Sequence, residues 1–94
     1  MNQNMENLDK YKSLVNEIIA KQIVILGSDI SILKAKNVPG LTLNSEAEVE
    51  SIEGNPQVVL QKLIDEYMAL SGQIMKDILT PILAKYPEIK VHVD

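Results

Sequence analysis

The chain has 94 residues, a net charge of −4, nine Lys and no Arg. Without Arg it lacks the side chain best suited to phosphate and guanine, which argues against nucleic-acid and anionic-membrane partners. Without Cys, and with one His, it is denied disulfides, zinc–thiolate sites, thiol catalysis and multi-His metal centres.

In chain order, residues 1–6 read as a loose polar lead-in. From Asn7 the apolar side chains Leu8, Tyr11, Leu14, Val15, Ile18 and Ile19 recur at helical spacing. They predict a helix to at least Ala20, with Asn7 as its cap. Next comes the run Ile23-Val24-Ile25-Leu26, then Gly27. A helix continuing to Leu26 and stopping at Gly27 is the favoured reading. The alternative is a buried strand over Ile23–Leu26, since three of its residues are β-branched. That strand needs a sharp turn at Lys21-Gln22, which have no turn chemistry.

Ser28 reads as the cap of a short helix from Asp29 to about Lys36, and Pro39-Gly40 as a turn. For residues 44–54 two readings compete. One is a short helix opened by the capping box Ser45–Glu48 and stopped at Gly54. The other, preferred, pairs Leu41–Leu43 with Val49–Ile52 in a hairpin turning at Asn44-Ser45. Asn55-Pro56 then opens a long helix, Asn as cap and Pro at the first helical position.

The long helix is the strongest signal. Leu60, Leu63, Ile64, Tyr67, Met68, Ile74, Met75, Ile78, Leu79 and Ile82 form one broad apolar face over residues 56–86. Ala69, Ser71 and Gly72 make a small-residue cluster, and Pro81 predicts a kink or division. Residues 87–94 form an extended carboxy-terminal tail, in which 89–94 alternate apolar and polar and read as a terminal strand or an extended arm. The sum is a single domain over 1–94, mainly α. It has two longer helices, one short helix and a minor β-hairpin; the alternative is α+β with Ile23–Leu26 as a strand. A chain this size buries about 60–65% of its unfolded surface.

No motif in the chain carries recognisable chemistry. Gly27-Ser28-Asp29 has one Gly and an acidic residue where a phosphate loop needs several Gly and a Lys. Glu46, Glu48, Glu50 and Glu53 read as a solvated face, and Lys62 with Asp65 and Glu66 as surface ion pairs. A lone His92 makes no triad. The expectation is therefore a non-catalytic protein with no cofactor, metal or catalytic residue. It is also expected to be cytoplasmic, with no nucleic-acid or membrane partner. The width of the apolar face points to an acidic module for protein–protein interaction or oligomerisation, with self-association as a homodimer the favoured partner. Its expected surface is Tyr67, Met68, Gly72, Met75, Ile78, Leu79 and Ile82. The alternative is a module binding a small apolar ligand in an aliphatic, Met-lined pocket.

Overall fold

The computed structural model describes residues 3–93 and, within them, the side chains of residues 8–93 other than Ser71. Met1, Asn2 and Asp94 of the expected lead-in and tail lie outside the described residues. Three helices and one hairpin follow in the order α1 (Gln3–Leu26), α2 (Ser28–Lys36), β1 (Leu41–Leu43), β2 (Val49–Ile52) and α3 (Pro56–Leu83). The mainly α expectation with a small hairpin is what is found.

α1 begins earlier than its apolar pattern suggested. It starts at Gln3, so Asn7 lies inside it and not at its cap position, and the expected lead-in is helical from residue 3. Ile23–Leu26 is its last turn, which excludes the strand. Gly27 then turns the chain with φ 92°, a left-handed value that suits Gly. Gly27, not Ser28, occupies the cap position of α2, and among the described residues no side chain caps that helix. One residue thus joins two helices, so α1 and α2 form a corner.

The hairpin is antiparallel, pairing Leu41 with Ile52, Thr42 with Ser51 and Leu43 with Val49, with a bulge beside Thr42/Leu43. Leu41 and Ile52 put its inner face into the core. The Asn44 side chain builds the turn, its Oδ1 accepting from the Glu46 and Glu48 amides at 2.9 and 3.1 Å. Gly40 is required by space as well as by its φ of 88°: a Cβ there would sit 2.6 Å from the Glu53 carbonyl oxygen. Asn55 caps α3 as its sequence predicts, accepting from the Gln57 amide at 2.9 Å.

α3 is helical throughout Pro56–Leu83, so Pro81 does not divide it. It is nevertheless sharply bent. Beyond Leu83, the turns Leu83–Tyr86 and Tyr86–Ile89 are each closed by a backbone hydrogen bond. Two such turns carry the chain at most about 18 Å to Lys90. There Gln57 Nε2 donates to the Lys90 carbonyl at 2.7 Å. A glutamine side chain and its bond add about 10 Å of reach. A straight helix would hold Gln57 and Leu83 about 39 Å apart, beyond the sum of those reaches. α3 therefore bends between Gln57 and Leu83.

The buried stripe locates it. Val59, Leu60, Leu63, Ile64 and Tyr67 are buried in the first limb, and Met75, Leu79 and Ile82 in the second. Between Tyr67 and Met75 the buried face shifts: Ile74, seven residues after Tyr67 and on the same face of a straight helix, is 52% exposed while Met75 is buried. Within that stretch sits Ser71-Gly72, a pair of the type at which helices kink.

The core is aliphatic apart from Tyr67 and Met75, with the polar Gln22 and Ser31 buried beside them. Leu14, Val15, Ile18 and Ile19 of α1 meet both limbs of α3, with Ala35 and Val38 closing the α2 side. Ile89 seats the tail, which lies along the first limb rather than pairing as a strand. Lys62 does not form the expected ion pairs: Glu66 meets Lys34 at 3.6 Å and Asp65 accepts from Gln61.

Candidate interaction surface

Two ties place both corners of the chain at one end of the molecule. Gln22 Nε2 donates to Met75 Sδ at 2.9 Å, just before the Gly27 corner and just after the α3 bend. Tyr67 donates its hydroxyl to the Ser31 carbonyl at 2.7 Å, on the other side of each. Residues 23–30 and 68–74 therefore share a pole.

That pole is apolar and exposed. Val24 is 82% exposed, and Ile25, Ile30, Leu70 and Ile74 are each between 42% and 52% exposed. A helix cannot bury four consecutive residues, because they sweep about 300° around its axis. The Ile23–Leu26 run must therefore present apolar side chains to solvent. Below the pole, an open groove of about 400 Å³ runs between α1 and the second limb of α3. Val24, Ile25, Ile78, Pro81 and Ile82 supply its apolar lining, and Glu17, Lys21 and Lys85 its charged rim.

Glu17 holds the lower end of the groove. It accepts from Lys85 Nζ at 2.6 Å and from the Tyr86 hydroxyl at 3.1 Å. The Lys85 hydrogen bond holds the Glu17 carboxyl below its ordinary value, aided by the Tyr86 bond and the Lys21 charge. Lys85 is raised in turn by the same bond, and Tyr86 is raised first by burial and then by Glu17.

The surface read from sequence is only partly a surface. Tyr67, Met75 and Leu79 are fully buried and Ile82 nearly so, all within the single chain's core. Met68, Gly72 and Ile78 are partly exposed. Met68 and Gly72 line a shallow depression with Ala69, Gln73 and Lys76, and Ile78 lines the groove. The structure thus joins Ile78 and Ile82 in the groove and does not gather the seven residues into one patch. The sequence reading missed Val24, Ile25, Ile30, Leu70 and Ile74 as exposed. The signal available for Val24 and Ile25 was the unbroken apolar run.

Glu46, Glu48, Glu50 and Glu53 are exposed along the hairpin. Among the described residues no three His, Cys, Asp or Glu side chains converge as a metal site. No helix among them is long and apolar enough to cross a membrane. Comparison with family models, curated proteins and solved structures returns no match to this chain.

Proposed function

We propose that this chain is a small acidic, non-catalytic module for protein–protein association, and that its first partner is a second copy of itself. The observation that carries the reading is the apolar pole, where two chain corners collect Val24, Ile25, Ile30, Leu70 and Ile74 in solvent. Aliphatic side chains gathered at one end, beside a groove with a mixed-charge rim, are what an isologous interface uses. The ligand-pocket alternative draws less support: Met75 is engaged by Gln22, and the depression beside Met68 is open.

Light scattering at micromolar concentration tests the proposal. The native chain is expected at twice its 10.5 kDa mass. The double variant Val24→Glu, Ile74→Glu is expected at the single mass with unchanged helical circular dichroism. Both positions are exposed in the single chain, so the charges disfavour association and not folding. A native chain that stays at 10.5 kDa throughout overturns self-association.

A further inference from the structure

We infer that α3 is a hinge: it straightens at Ser71-Gly72, and two copies exchange residues 73–93 to meet pole to pole. The inference rests on the self-association reading and specifies its geometry.

Three observations lead to it. First, α3 stays helical through its corner. Opening therefore asks only that a bent helix become a straight one, with no loop to refold. Second, the hinge is free to do so. Gly72 does not have left-handed backbone, and the nearest atom to a Cβ built on it is the mobile Met68 Cε at 3.8 Å. Third, the ties that hold the second limb and tail are side-chain contacts to the rest of the chain. They are Met75 to Gln22, Lys85 and Tyr86 to Glu17, Glu88 to Lys10, Lys90 to Gln57, and His92 to Gln61. Each joins residues 73–93 to residues before the hinge, so each reforms unchanged against a second copy.

Exchange loses none of these contacts, which is why it is a low-cost route to a symmetric dimer. It also has a geometric consequence. A straightened α3 carries its second limb out past the pole, so the second copy's α1 must stand there. The two-fold axis then passes beside the hinges, and the exposed Val24, Ile25, Leu70 and Ile74 of both copies face one another. The closed form competes through an effective concentration of about a millimolar. At micromolar protein the pole contact and the straightened helix must together supply about a thousandfold.

The chain has no Cys, so single thiols report copy-to-copy contacts. Lys10→Cys and Glu88→Cys replace the two ends of an exposed ion pair, whose loss leaves folding intact. This pair lies at the end away from the pole, where a dimer without exchange brings nothing together. The two full-length variants are unfolded and refolded together at high concentration, then treated with a short bis-maleimide. The expected product links one Lys10→Cys chain to one Glu88→Cys chain within the dimer fraction. Gly72→Ala, which favours a regular helix at the hinge, is expected to raise that fraction about fivefold or more. A dimer that shows no such link, with or without Gly72→Ala, overturns exchange and leaves association through the poles standing. Monomer at every concentration in both backgrounds overturns both.

Discussion

Tyr67 and Ser31 sit together in the core, and their polar groups act with opposite sign. The Tyr67 hydroxyl is buried and donates to the Ser31 carbonyl, and burial pushes its pKa well up. The Ser31 hydroxyl is buried with no hydrogen-bond partner among the described residues. A buried donor that finds no acceptor loses its hydration without return. Tyr67→Phe is therefore expected to destabilise the fold by about 0.5–1.5 kcal/mol. Ser31→Ala removes the unsatisfied group and adds helix propensity, and is expected to stabilise by about 1 kcal/mol. Urea unfolding midpoints of the two variants, read against the native chain, check both signs.

Glu17 supplies a pH-dependent contribution. Its carboxyl is held below the ordinary value of 4.5 in the fold, first by the Lys85 hydrogen bond. The folded state therefore binds a proton there less readily than the unfolded chain. The stabilisation is present above the ordinary carboxylate pKa and is lost as pH falls through the depressed one. Glu17→Gln is expected to lower Tm near neutral pH. The gap to the native chain is expected to narrow steadily as pH drops below about 4.5. A gap that stays constant across that range would assign Glu17 no ionic role.

At the scale of elements, the tail acts on α3 as a cord acts on a bow. Gln61 both donates to the His92 carbonyl and accepts from the His92 amide, each at 2.8 Å. One side chain thus reads the backbone of an extended segment and is indifferent to its side chains. Gln61→Ala is expected to raise hydrogen exchange at the His92 amide by about tenfold or more, with α1 amides unaffected. Local signals made several elements legible: Asn55-Pro56 starts α3, Gly27 ends α1, and Asn44 turns the hairpin. Each needs only its neighbours in sequence. The bend was not legible, because it shows only in pairings far apart in sequence, such as Gln57 with Lys90, 33 residues apart. Pro81 is a helix breaker by its chemistry, yet α3 runs through it. There Thr80 Oγ1 donates to the Lys76 carbonyl at 2.9 Å, a local bond of the preceding turn.

For the whole molecule, the sequence showed that a broad apolar face exists and misjudged who covers it. Leu79, Met75 and Ile82 are covered by this chain's own α1, because α3 folds back along it. The sequence reading placed them on a surface because the apolar face is wider than one narrow stripe. The same fold-back turns Leu70 and Ile74 outward at the pole. Burial in one limb and exposure at the corner are two results of one bend. The exposed residues that matter at this scale belong to two distant stretches, 24–30 and 70–74, and the Gln22–Met75 and Tyr67–Ser31 ties bring them to one end.

The hairpin has one feature whose importance lies outside the folded monomer. A two-stranded sheet leaves the outer edge of each strand open, and an open edge recruits further strands. At β2 the Asn16 side chain reaches from α1 and accepts from the Val49 amide at 2.8 Å. A helix side chain thereby occupies a position that an added strand would need. Glu48 and Glu50 stand exposed beside it and repel a second copy of the same strand. For the self-association proposed above, Asn16 keeps the sheet from being a second, unlimited way of joining, and leaves growth to the pole, where a two-fold contact closes and stops.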